Sequence, residues 1–159
     1  MDNVLIRRIT LDDFEDVNLI MDEIHKLHVD NRPDIYCNTD VVMSKDEFIN
    51  VVNNNKVISI VAQIDSTVVG LCIISIKEIG GNSVIKSRKV AYMDDLGVLK
   101  KYRNQGIGKR LYNEGKKLAL EFGVESLELM VWEFNIDAIK FYESENMKAR
   151  SRIMEVKLG

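Results

Sequence analysis

The chain has 159 residues, 46% of them hydrophobic and 30% charged, which is enough for one domain with a packed core and too little for two. One proline and nine glycines exclude a collagen-like or disordered chain. A net charge of -3 gives no overall attraction to nucleic acid or an anionic membrane, so the local run of Lys100, Lys101, Arg103, Lys109 and Arg110 suits a small anion better than a polymer.

The opening residues, MDNVLIRRI, lack the apolar core of a secretory signal. No apolar run approaches the roughly 20 residues needed to span a bilayer. Val4 to Ile9 reads as a first strand. Thr10, with Asp13 three residues on, reads as a capping box. It opens a helix on which Phe14, Val17, Met21, Ile24 and His28 recur at helical spacing. That helix ends before Pro33, which cannot donate a backbone hydrogen bond. His25 and His28 stand three apart and share a face. With no third ligand at sensible spacing, they do not make a metal site. Residues 31–42 read as a loop. Ser44 and Glu47 form a second capping box, for a helix carrying Phe48 and Val51 or Val52 that fades in Asn53-Asn54-Asn55.

Val57 to Ile64 and Val68 to Ile76 are β-rich runs joined by the hairpin Asp65-Ser66-Thr67. Gly80-Gly81-Asn82 marks another turn. Arg88 to Val98 is a longer strand, in which Gly97 signals a bulge or backbone facing a ligand. Gly106 to Phe122 is a helix that Gly115 interrupts, as close packing on a sheet would require, and Gly123 ends it. Ser126 to Trp132 is an apolar strand, Asn135 to Ser144 a short helix, and Met147 to Leu158 one or two strands. The order is β-α-α-β-β-β-α-β-α-β, with no internal repeat or linker. Cys37 and Cys72 form neither a CxxC pair nor a disulfide framework, which suits a reducing cytoplasm.

The stretch Asp94 to Leu111, DDLGVLKKYRNQGIGKRL, organises the rest. Arg103, Gly106 and Gly108 have the spacing Arg-x-x-Gly-x-Gly between a strand and a helix. Small residues let backbone approach a ligand, and the first amides of a helix attract an anion such as a diphosphate. Glycines in such a turn also serve purely steric ends. It is not a P-loop, because Arg110 stands where Ser or Thr is needed. It is not the dinucleotide fingerprint either, because Leu111 replaces the third glycine.

Three features, in order, resemble the GNAT-type N-acetyltransferases: a strand ending in DDLGV, the loop YRNQGIG, and the segment VWEFNIDAIKFYESENM. The resemblance covers essentially the whole chain. It implies a single mixed α/β domain over residues 1–159. The expected sheet is mostly antiparallel and twisted, with six or seven strands, a V-shaped splay between the fourth and fifth, and about four flanking helices. It also implies acetyl-CoA as acetyl donor. The backbone of Arg103, Asn104, Gln105, Gly106, Ile107 and Gly108, with Lys109, would hold the diphosphate. Leu96, Gly97 and Val98 would pair with the pantetheine, and Asn135 and Ala138 would flank the cofactor arm. Tyr142 stands where the family's usual general acid protonates the departing thiolate. Asparagine also caps helices, and a tyrosine on an apolar helix face also packs as core.

Acyl transfer to an amine requires removal of the amine's proton and stabilisation of charge on oxygen. The Val98 amide suits the oxyanion, and no metal or covalent enzyme intermediate is required. Family members that acetylate protein N-termini carry a glutamate where this chain has Met130. Asp94, directly or through water, is the preferred base. Asp95 is the alternative, as an acidic clamp on the amine. Adjacent strand residues are expected to face opposite ways. His28, Arg32, Tyr36 and Glu133 are the candidates for the acceptor pocket, with Trp132 and Phe134 as further walls. The resemblance also implies a homodimer through terminal strands. The other readings are a non-catalytic acyl-CoA-binding or regulatory module, and an acetyltransferase acting on a protein or tRNA-associated amine.

Overall fold

The computed structural model describes residues 3–159. The chain divides into two compact units, Met1–Leu129 and Met130–Gly159. The first is built on a five-stranded sheet in the order β1 (Val4–Arg8), β2 (Val57–Ile64), β3 (Thr67–Ile79), β4 (Arg88–Val98) and β5 (Ser126–Glu128). Successive pairs from β1 to β4 are antiparallel, and β5 runs parallel to β4. The central strands are runs of β-branched residues, VISIVAQI and TVVGLCIISI, buried on both faces as a sheet covered on both sides requires.

One face packs under α1 (Phe14–Asn31) and α2 (Lys45–Asn53). Val17, Ile20, Met21 and Phe48 meet Val61, Leu71 and Ile73 there. The opposite face packs under α3 (Ile107–Leu120). A Cβ on Gly115 would lie 2.9 Å from Ile74 Cδ1 and 3.1 Å from Cys72 Sγ, so this mid-helix glycine lets α3 sit close to β3. Gly70 does the same from the strand, where a Cβ would lie 2.8 Å from Leu111 Cδ1.

Both capping boxes form, at Thr10–Asp13 and Ser44–Glu47. The first opens a short 3-10 turn, Leu11–Asp13, ahead of α1. Asp13 is buried, and Arg7 donates to both its carboxylate oxygens at 2.8 Å. Burial would raise its pKa, but the hydrogen bonds from Arg7 and Thr10 hold it below the ordinary value.

The strands differ from expectation in two places. The strand expected over Ser126 to Trp132 stops at Glu128, and Met147 to Leu158 carries no strand, so among the described residues five strands stand where six or seven are predicted. A strand exists only where a neighbour takes its backbone groups, and the β4–β5 ladder ends at Tyr92 opposite Glu128. β4 runs on for six more residues, Met93 to Val98. The second unit contains α4 (Ile136–Ser144), capped by Asn135, whose Oδ1 accepts the Ala138 amide at 3.3 Å.

Candidate active site

β4 carries the acidic pair, and its register with β3 decides where the pair points. Opposed residues of an antiparallel ladder share a face. Gly97 lies opposite Leu71 and Asp95 opposite Ile73, which sets both on the α1 face. The register then slips between Ile73 and Ile74, so that Met93 faces Ile74 and Asp94 is the extra residue of a β-bulge. Ser75, which alternates with Leu71 and Ile73, donates its hydroxyl to Asp94 Oδ2. Both carboxylates therefore serve the same face. The expectation that Asp94 and Asp95 face opposite ways is corrected, because the extra residue cancels the alternation.

The bulge lies at Asp94 rather than at Gly97. At Gly97 a Cβ would stand 2.5 Å from Ile24 Cδ1 and 3.2 Å from Ile20 Cγ2, so the glycine admits α1. The two acids differ in setting. Asp94 is exposed and Asp95 is half-buried. Burial, reinforced by the Asp94 charge, pushes the Asp95 carboxyl up to about 6. Burial, with the charges of Asp95 and Asp94, pushes the Cys72 thiol up to about 12, which makes it inert as a nucleophile.

Beyond the bulge, backbone groups alternate in direction. Leu99 N–H donates to Val69 C=O on β3 at 2.9 Å. Leu96 and Val98 therefore turn their amides and carbonyls to the other side of β4, past the end of the β5 ladder. The Val98 carbonyl accepts Arg103 Nε at 2.8 Å on that side.

The loop that follows is a 3-10 turn, Lys100–Tyr102, then Arg103 to Gly106. Asn104 and Gly106 take left-handed backbone, at φ 60° and 79°. Asn104, Gln105 and Gly106 are exposed, and nothing lies within 4 Å of a Cβ built on Gly106. The first helical bond of α3 runs from Arg110 N–H to Gly106 C=O, and no side chain caps that end. The amides of Ile107 and Gly108 precede this bond, and the helix dipole adds positive potential. The start of a helix with no side-chain cap is the kind of place where anions bind. The Arg103 side chain is engaged with Val98 and with Glu23. The Arg110 side chain reaches the Val4 carbonyl at 2.8 Å.

The end of α1 gathers three expected acceptor-side residues. The Tyr36 ring packs against His28 at 5.0 Å and His25 at 6.1 Å. His28 Nδ1 donates to the Ile24 carbonyl at 2.7 Å, which fixes its tautomer, and His25 Nε2 donates to the Cys37 carbonyl at 2.6 Å. Arg32 forms a fork with Asp34 at 2.9 and 2.8 Å. His28 continues the stripe Ile20–Ile24 that lies on Gly97. In the second unit, Trp132 and Phe134 stack at 5.8 Å, next to Glu133, and the Tyr142 ring lies edge-on to Phe141 at 5.4 Å. Two partners escape sequence reasoning. Ser75 looks like any strand serine, and Glu23 like any charge on an exposed helix face. No signal in the one-dimensional pattern singles them out.

The family whose model matches residues 21–146 is described as the acetyltransferase (GNAT) family. The chain is 32% identical over 88 residues to an uncharacterized N-acetyltransferase of Archaeoglobus fulgidus, covering 55% of this chain and 58% of that one. It spans between 23% and 58% of the length of the curated relatives it matches. Among solved structures, a mutant protein from Bacillus halodurans superposes with a TM-score of 0.94 at 26% identity, over 97% of this chain and 99% of that one. An aminoglycoside N-acetyltransferase solved in complex with CoA has a TM-score of 0.72 at 15% identity, over 98% and 99%, a likeness of fold alone. With most of its length under the family model, the chain belongs to the acetyltransferase (GNAT) family.

Proposed function

We propose that this chain transfers an acetyl group from acetyl-CoA to a primary amine of a small molecule or peptide, by direct attack with both substrates bound. The observation that carries this reading is the Arg103–Gly108 loop, exposed from Arg103 to Gly106 and left-handed at Asn104 and Gly106, which opens α3 after the end of β4. The amides of Ile107 and Gly108 and the backbone of Arg103, Asn104, Gln105 and Gly106 suit the diphosphate, with Lys109 adding charge. Leu96 and Val98 offer outward backbone groups to the pantetheine, with Gly97 between them. Family membership supports the donor, as does the fold shared with a CoA-bound enzyme.

Each group of the chain then has a task. Asp95, with a carboxyl near 6, takes the proton from the acceptor's ammonium at neutral pH. Asp94, steadied by Ser75, holds the cation beside it. This reverses the order of preference between the two acids that the sequence alone suggests. The Val98 amide steadies the charge on the reacting oxygen. The Tyr142 hydroxyl gives its proton to the departing sulfur. Asn135 orients the cofactor arm while its side chain caps α4 at Ala138. His28, Arg32, Tyr36 and Glu133 shape the acceptor side. Binding both substrates supplies most of the acceleration through positioning.

The whole chain acts as one acetyltransferase domain in the cytoplasm, and its acceptor is a cationic amine rather than nucleic acid. A second copy completes the particle. Within the second unit Ile153, Val156 and Leu158 are exposed in a run of strand-like sequence, which pairing with a partner would bury. Sedimentation reporting a monomer at micromolar concentration would remove that part.

The test of function is free-thiol release from acetyl-CoA against a panel of amines and peptides, with a no-acceptor control. Acceptor-dependent release is expected. CoA binding with no release on any amine would favour a binding module. No CoA binding at all would overturn the reading.

A further inference from the structure

We propose that Glu23, on the helix that leads to the acceptor side, is a positioning residue for the cofactor loop; the inference rests on the acetyl-CoA reading above. Glu23 Oε2 accepts the backbone N–H of Lys100 at 2.9 Å and stands 3.7 Å from Arg103 Nη2. Lys100 opens the 3-10 turn, whose N-cap Leu99 has no polar side chain to offer. A carboxylate from a helix 77 residues away in sequence therefore does the capping.

The same carboxylate reaches the far end of the turn. Arg103 lies between Glu23 and Val98, donating its Nε to the Val98 carbonyl at 2.8 Å. In a strand, the carbonyl and amide of one residue turn to the same side, so fixing the Val98 carbonyl also aims the Val98 amide. Glu23 thus holds both ends of the link from β4 to the Arg103–Gly108 loop. It is held in turn by its own helix, since its neighbour Ile24 packs directly on Gly97. The loop's conformation and the seat of α1 are tied at one side chain.

The sign of the effect separates positioning from plain charge. CoA is an anion, so removing a nearby negative charge should tighten its binding if Glu23 acts only through Coulomb attraction and repulsion. A positioning role predicts the opposite. The variants are Glu23→Ala and Glu23→Gln, with Asp22→Ala removing the same charge from the same helical turn at an exposed side chain. CoA binding is measured by calorimetry at low and high salt, with melting curves as a check on folding.

Glu23→Ala should weaken CoA binding about threefold to tenfold, the range expected for a partly exposed charged hydrogen bond. Glu23→Gln should recover part of the loss, because its amide oxygen still accepts the Lys100 N–H. Asp22→Ala should bind as tightly as the parent or slightly tighter. Unchanged or tightened binding in Glu23→Ala would overturn the proposal, as would an equal loss in Asp22→Ala. A parent chain that does not bind CoA would instead sink the acetyl-CoA reading, and the role of Glu23 with it.

Discussion

The acidic bulge at Asp94–Asp95 and the loop at Arg103–Gly108 lie close together in the chain but are made of different material. The loop is a backbone site. Its shape comes from local conformation, with Asn104 and Gly106 left-handed and α3 starting immediately afterwards. The bulge is a side-chain site. Its shape comes from one register slip against β3, which turns two neighbouring carboxylates to one face. A backbone site is written in the residues that form it. A side-chain site on a strand is written partly in the strand opposite.

The largest effect expected is on the bulge. Asp95→Asn should lower kcat/KM by about 100-fold or more, as loss of a general base does. In the parent chain, the acidic limb of the pH profile should fall away below about 6, where Asp95 takes up its proton. Asp94→Asn should cost less, since the proposed mechanism gives Asp94 an assisting role and leaves the proton to Asp95. A larger loss in Asp94→Asn, with the limb unmoved in Asp95→Asn, would exchange their roles. Tyr142→Phe should lower turnover by roughly tenfold to 100-fold while CoA affinity holds. Parent-like turnover would remove Tyr142 from the acid role.

The same carboxyl leaves a mark on stability. Asp95 has its folded pKa raised, so the fold favours the protonated form. Its contribution is most favourable below the unfolded value near 4, and is lost as pH rises through about 6. Asp95→Asn removes a charge that the fold disfavours. It should raise stability at pH 8 by on the order of 3 kcal/mol at most, and change it little at pH 4. Melting curves at the two pH values read this directly. An equal change at both would detach the effect from ionisation.

The contrast explains what the sequence discloses. The capping boxes at Thr10 and Ser44, the end of α1 before Pro33 and the full extent of β4 are local signals, and each appears where expected. The glycine spacing of the loop is local too. The direction of Asp94 is not, because it depends on whether Ser75 or Ile74 pairs with Met93, which no property of DDLGV reveals. Gly97 misleads for the same reason: its missing side chain makes room for Ile24 on α1, and the bulge lies elsewhere. Strand length also escapes, since the ladder that would extend Ser126–Glu128 is absent from the first unit.

Gly106 gives the smallest effect and the sharpest contrast with Gly97. A Cβ on Gly106 meets nothing within 4 Å, so the position asks for conformation rather than space. At φ 79° a branched side chain costs about 1 to 2 kcal/mol, and the loop can escape that strain by moving. Restoring the binding conformation then draws on the affinity, so Gly106→Val should weaken CoA binding by about tenfold with little change in melting temperature. Gly106→Asn should lose much less, because asparagine visits left-handed backbone readily. Gly97→Ala should behave the other way, losing about 1 to 3 kcal/mol of stability through the clash with Ile24. Calorimetry with CoA and melting curves on the three variants decide the matter. If Gly106→Val binds CoA like the parent, the loop's backbone is not the diphosphate cradle, and the site has to be sought elsewhere along β4.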